Sequence, residues 1–260
     1  MKLVYTFTTQ YTSKIYNTNN VEKLIFGYIN YYRESIKKSL NCGYEVDFYL
    51  SEDIIKYFID LEINLIKIET IDSGLFDFLK AMVLKERSDE FILIDGDVFL
   101  KDKLLLNTNI DCIYETDCII SNDSKYDDIT KDKTWNVFYK PYVNELTNLD
   151  IKSIIPEWSG NRFDTVHNIG ILYFNNIELK NLYVDRWYKF NDFVNKNIEN
   201  KIPFTVIGAQ YLLTEIINYY KFTSSKFDDN LFSHDIGIYK FKKPKVSMSE
   251  VMFDSKKNIL

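Results

Sequence analysis

Phe91-Ile92-Leu93-Ile94 is an unbroken apolar run, and Asp95-Gly96-Asp97 follows it directly. A strand that is apolar at every position has no face to turn to water, so it belongs inside a sheet covered on both sides. The residues before it read as the units from which such a sheet is built. Leu3 to Thr9 reads as a first strand. Leu24, Ile25, Tyr28, Ile29, Tyr32 and Ile36 recur at spacings of three and four, the period of an amphipathic helix. Cys42-Gly43 stops that helix, and Tyr44 to Leu50 is a second strand. Asn64 to Glu69 makes a short third strand. Ser73 then caps a helix in which Leu75, Phe78, Leu79, Met82 and Val83 share one face. The β-α-β-α-β order predicts an α/β fold, a mostly parallel sheet flanked by helices, with Phe91 to Ile94 as its fourth strand.

The second half is less regular. Asp111 to Ser121 reads as one strand and Val166 to Phe174 as another, while Tyr183 to Asn195 and Ile207 to Tyr220 read as helices. Asn122 to Lys133 is a polar loop rich in Asp and Lys. Lys221 to Leu260 is a Lys- and Phe-rich tail expected to wrap back over the domain. The chain has 260 residues and no Pro- or Gly-rich linker among its 8 Gly and 4 Pro, so one domain over 1–260 is expected.

A formal net charge of -6 disfavours a general nucleic-acid binder, which needs a basic footprint to neutralise phosphates. Cys42, Cys112 and Cys118 have no metal-ligand or redox spacing and read as free thiols in a reducing compartment. The N-terminus is too polar for a signal peptide, and no apolar run reaches the roughly 20 residues of a membrane span. A cytoplasmic protein without a transmembrane segment is expected.

Residues two apart in an extended chain point the same way, so Asp95 and Asp97 can face one ligand at the carboxyl end of a central strand, where open α/β sheets bind ligands. Gly96 between them would let a diphosphate or a metal approach the backbone. Hard cations such as Mn²⁺ or Mg²⁺ take oxygen ligands and bridge carboxylates to substrate phosphates. On residues 90–100 alone, a hairpin with Asp-Gly at its turn fits as well as a metal site. An EF-hand loop is excluded, because Phe99 stands at its fifth ligand position. An aspartate-nucleophile phosphatase of the haloacid-dehalogenase type would also end an apolar strand in Asp-x-Asp, but with Thr or Val where Phe99 stands.

Only two His are present. His234 lies in Ser233-His234-Asp235, where neighbouring side chains cannot take up a relay geometry, so a catalytic triad is excluded. A surface-loop histidine without a role is one reading. The spacing His234-x-x-Gly237-x-x-Lys240 offers another: an imidazole to complete a metal site, a glycine to admit phosphate and an ammonium to offset its charge.

With both segments in this order, the sequence resembles the GT-A-fold glycosyltransferases, in particular the glycogenin and lipopolysaccharide-galactosyltransferase-like group. Its members carry Asp-x-Asp after a central strand and His-x-x-Gly-x-x-Lys near the C-terminus. The resemblance implies a Rossmann-like fold with a nucleotide-binding half over about 1–121 and an acceptor-side half over about 122–260. It implies Mn²⁺ (or Mg²⁺) held by Asp95, Asp97 and His234, with Gly237 and Lys240 at the diphosphate. Lys80 matches a basic residue that approaches the diphosphate, although a solvated helix lysine reads as well. Thr8 and Tyr11 end the first strand, where the family seats its nucleobase. Asn168 and Gly170 match an Asn-x-Gly strand that lines the sugar site, and Gln210 matches a Gln near the reacting sugar carbon.

The chain also departs from the pattern. Ala209 replaces the Asp that commonly precedes that Gln, Phe241-Lys242 replaces Pro-Trp, and His167 is not part of the pattern and is assigned a structural or acceptor-facing place. The implied reaction moves a hexose from a nucleoside diphosphate sugar, UDP-linked, to a hydroxyl on a glycan, lipid-linked or protein acceptor. Asp97 and Gln210 would carry the catalysis. A Gln at 210 favours retention, and Glu157 and Asp164 remain candidate bases for inversion. The rival readings are the phosphatase and a non-catalytic sugar-binding module on a degenerate transferase fold.

Overall fold

The computed structural model describes residues 1–9, 21–69, 78–119, 143, 145–163, 165–199 and 202–234. β1 (Lys2–Phe7) and β4 (Phe91–Ile94) are buried on both faces, as their composition requires. Leu3, Tyr5 and Phe7 with Ile92 and Ile94 face one hydrophobic layer, and Val4 with Phe91 and Leu93 faces the other. The first layer is closed by Tyr28, Ile29, Tyr32 and Ile36 of α1 (Val21–Asn41) and by Ile54 of the short α2 (Glu52–Ile55). The second is closed by α3 (Phe78–Glu86), α4 (Ile177–Asn197) and α5 (Ile202–Tyr220).

The central sheet adds β2 (Glu45–Ser51), β3 (Asn64–Ile68), β6 (Cys112–Tyr114), β9 (Ile171–Phe174) and β10 (Ser224–Lys226), in the spatial order β10-β6-β9-β4-β1-β2-β3. Pairings β1–β2, β1–β4, β2–β3 and β6–β10 are parallel, while β9 runs antiparallel to both β4 and β6. The expected mostly parallel α/β sheet is present, with one reversed strand in it.

Two strands expected to be continuous are broken. Asp111 to Ser121 resolves into β6 and β7 (Asp117–Ile119), and Val166 to Phe174 into β8 (Thr165–His167) and β9. β7 and β8 leave the main sheet as a separate antiparallel ladder. Both breaks lie at the same level. The Glu115 N–H donates to Asn168 O at 3.1 Å, and the Asn168 N–H donates to Thr116 O at 2.9 Å. Asn168 Oδ1 also accepts from the Gly170 N–H at 3.0 Å, a local turn that competes with the ladder.

α4 begins at Ile177 rather than at Tyr183, because the Asn176 side chain caps the backbone N–H groups of Glu178 and Leu179. Its first turn carries an exposed Ile177, so no apolar period reveals it. α5 likewise begins at Ile202, with Pro203 in the first turn, where its missing N–H costs nothing. α3 is described from Phe78; Ser73 and Leu75 lie outside the described residues, as do 120–142 and 235–260. Among the described residues, no helix is long and apolar enough to cross a membrane.

The hairpin reading of Asp95-Gly96 does not hold. β5 (Val98–Leu100) pairs with β11 (Phe232–His234), whereas β4 pairs with β1 and β9. The turn therefore passes the chain from one sheet to another.

Candidate functional site

β1, β4 and β6 run in one direction, so the residues just past their carboxyl ends, Thr8, Asp95 and Glu115, come to the same edge of the sheet. β9 runs the other way and begins there, after Gly170. This edge is where an α/β sheet offers backbone and side chains to a ligand.

Asp95 is fixed by its backbone. Its N–H donates to Gly170 O at 2.7 Å, and its carbonyl accepts from the Val98 N–H at 3.2 Å. Its Oδ1 lies 2.7 Å from Lys80 Nζ, and the Lys80 side chain is 5% exposed, so Lys80 is not a solvated helix lysine. Thr6, Thr8, Lys80 and Asp95 line one cleft with Phe7 and Tyr32. Gly96 makes room for a side chain: a Cβ there would fall 2.4 Å from the Tyr32 ring. Tyr32 in turn stacks on Phe7 and Phe48 and donates its hydroxyl to Thr6 O at 2.7 Å.

Asp97, His234 and Glu115 form a second, buried group. The β5–β11 register sets His234 opposite Val98 and so beside Asp97. His234 Nε2 lies 3.3 Å from Asp97 Oδ2, and Nδ1 lies 2.5 Å from Glu115 Oε1. Burial disfavours the imidazolium, but Glu115 and Asp97 outweigh it and hold the His234 pKa well above its usual value. The group fits because residue 170 is glycine: a Cβ would fall 2.2 Å from Glu115 Oε2 and 3.0 Å from His234 Cε1.

Among the described residues, no three His, Cys, Asp or Glu side chains gather around one point as a cation cage would. Asp97 and His234 gather as a pair, while Asp95 is held by Lys80. Two donors 3.3 Å apart fit neighbouring positions on an octahedral ion, whose ligands at about 2.1 Å lie about 3 Å from each other. One or two carboxylates plus substrate phosphates and water is the donor set Mg²⁺-like ions take, in place of an all-protein cage. The residues present fit such an ion.

Gln210 lies buried on α5, and its Oε1 has no partner among the described residues. No described hydrogen bond joins it to Asp97 or His234. Its backbone carbonyl accepts from Thr214 Oγ1 at 2.9 Å, and Thr214 Oγ1 in turn meets His167 Nδ1 at 3.2 Å. His167 also meets Ser224 Oγ at 3.3 Å and stacks on Tyr114, with ring centroids 4.1 Å apart. Burial lowers its pKa to about 4, so it is a neutral, hydrogen-bonded structural histidine. Glu157 does not suit a general base: Arg186 Nε and Nη2 donate to its two oxygens at 2.7 and 2.8 Å, and Tyr220 donates its hydroxyl at 2.9 Å. Tyr11, Asp164, Gly237 and Lys240 lie outside the described residues.

No family model matches the chain, and no curated protein does. Among solved structures, it is similar to the apo form of the glycosyltransferase GlyE of Streptococcus pneumoniae TIGR4, at 12% identity and a TM-score of 0.47, covering 98% of this chain. The chain spans 63% of the length of that GlyE chain. It is also similar to an active-site mutant of LgtC, at 12% identity and a TM-score of 0.45, over 87% of this chain and 72% of that one. A structure of the galactosyltransferase LgtC in complex with donor and acceptor sugar analogs gives 12% identity and a TM-score of 0.41, over 87% and 73%.

Glu115 belongs to this group but to none of the motifs named in the sequence. Cys112-Ile113-Tyr114-Glu115 repeats in short form the pattern Phe91 to Asp95, an apolar strand ended by a carboxylate. That pattern marks it once β6 is seen to end at Tyr114, which an unbroken strand over Asp111 to Ser121 hides.

Proposed function

We propose that this protein is a metal-dependent glycosyltransferase that moves a hexose from a UDP-linked donor to a hydroxyl acceptor on a glycan, lipid-linked or protein substrate, with retention. The observation that carries this reading is the Asp97–His234 pair, two residues from distant parts of the chain set 3.3 Å apart beyond the carboxyl end of β4. Asp97 and His234, joined by Asp95, would hold Mn²⁺ or Mg²⁺, which supplies Lewis-acid stabilisation of charge on the leaving diphosphate.

Asp95 and Lys80 present one negative and one positive group to the same cleft, so Lys80 can turn to a diphosphate once Asp95 turns to the cation. Thr8 lines that cleft where the nucleoside would enter, with Tyr11 assigned to the base and Gly237 and Lys240 to the diphosphate. Asn168 holds the loop that presents Gly170, and Gln210 is assigned to the donor sugar, with a buried side-chain oxygen available to accept from it. Glu157 is engaged by Arg186, which favours retention over inversion. The free thiols Cys42 and Cys112 suit a reducing cytoplasm.

The test is a panel of nucleoside diphosphate sugars assayed for Mn²⁺-dependent hydrolysis and binding. The expected result is UDP-sugar turnover that chelation abolishes and Asp97→Ala eliminates. Nucleotide binding indifferent to Mn²⁺, or retained unchanged in Asp97→Ala, would overturn the reading.

A further inference from the structure

We infer that Glu115 is the positioning residue for His234 and sets which imidazole nitrogen faces the cation; this rests on the metal reading above. Glu115 Oε1 lies 2.5 Å from His234 Nδ1. A ring that ligates a metal through one nitrogen keeps its proton on the other, so this contact holds the N–H at Nδ1 and leaves Nε2, on the Asp97 side, as the nitrogen that would face a cation.

Two further observations support that role. Glu115 is 1% exposed, and its Oε2 has no hydrogen-bond partner among the described residues. A buried carboxylate oxygen without a protein partner calls for a reason, and a place in a ligand site is one. Gly170 leaves the space that Oε2 and the His234 ring edge occupy, and any side chain there would evict one of them. Glu115 would act on the cation through the imidazole, which it orients and makes more basic.

The test compares wild type, Glu115→Leu and Glu115→Gln by Mn²⁺ titration in the presence of UDP. The nitrogen modulation of the bound Mn²⁺ spin echo reports imidazole coordination directly, which a purely structural role of Glu115 would not move. Wild type is expected to show nitrogen modulation. In Glu115→Leu, Mn²⁺ affinity is expected to fall by roughly 10- to 100-fold and the modulation to be lost. Glu115→Gln, which keeps the shape, is expected to bind Mn²⁺ about tenfold more weakly. If Glu115→Leu does not fold, the Gln variant decides. Unchanged affinity and modulation in the folded variants overturn this inference alone. A wild type that binds no Mn²⁺, or binds it without nitrogen modulation, overturns the metal reading and this inference with it.

Discussion

Lys80 and Asp95 form an ion pair in which the ammonium is the deeper partner: Nζ lies 2.7 Å from Oδ1, with the side chains 5% and 27% exposed. Removing either partner therefore has unequal consequences. Asp95→Asn removes a negative charge from beside a buried ammonium and should cost about 3 kcal/mol, whereas Lys80→Met removes a positive charge from beside a carboxylate that water still reaches and should cost about 1 kcal/mol. A double-mutant cycle in urea should show the two effects to be less than additive. Equal single effects that sum would mean that the pair carries no such coupling.

Gly170→Ala should harm the site more than the fold. The new methyl group would displace Glu115 or His234, at a cost of about 1–3 kcal/mol in stability and roughly tenfold or more in Mn²⁺ affinity. Gly208→Ala is the matched control, since its Cβ would fall 2.6 Å from the Phe190 ring, between α4 and α5. It should lose similar stability and keep its Mn²⁺ affinity. Titrations of both variants at matched folded fractions separate the two effects.

His167 should make the protein less stable in mild acid. Its folded pKa, near 4, is below the 6.5 of an unfolded histidine, so the unfolded chain takes up the proton first. Its contribution is fully present above pH 6.5 and is lost as pH falls towards 4. His234 has the opposite shift, so its own contribution is complete below pH 6.5 and is lost at higher pH. Urea unfolding of wild type and His167→Phe at pH 7.0, 6.0 and 5.0 should give a flatter slope for the variant. Parallel slopes would refute the assignment.

Arg186→Met should be among the most damaging substitutions away from the cleft. It leaves Glu157, whose side chain is 0% exposed, with the Tyr220 hydroxyl but no neutralising charge, and should cost about 3 kcal/mol at neutral pH. Burial by itself raises the Glu157 pKa, but Arg186 outweighs it and holds the carboxyl below its usual range, so the wild-type contribution persists until pH falls through that lowered value. Without the arginine the carboxyl can protonate in the folded state. The stability gap between variant and wild type should then narrow from pH 7 towards about 4.5. A constant gap across that range in thermal unfolding would count against this account.

The sequence by itself determined the elements whose signal is local. Phe91 to Ile94 has no polar position, so it had to become a central strand, and the carboxylate that follows it had to emerge at the edge where the parallel strands end. The three-four spacing of Tyr28, Ile29, Tyr32 and Ile36 likewise placed one face of α1 on the core. Helix starts were less legible where caps, not apolar periods, set them, as Asn176 does for α4.

Only the tertiary structure decided what the polar residues at that edge touch. Glu115 and His234 stand 119 positions apart, and no pattern near either residue records the antiparallel β5–β11 register that sets His234 beside Asp97. Gly96 and Gly170 are equally silent in the sequence. One makes room for the Tyr32 ring and the other for Glu115, and each distinction depends on which distant side chain packs over the missing Cβ. Hydrophobic patterning is written along the chain because burial acts on each element separately. A polar site depends on pairwise distances between elements, and those exist only once the sheet has closed.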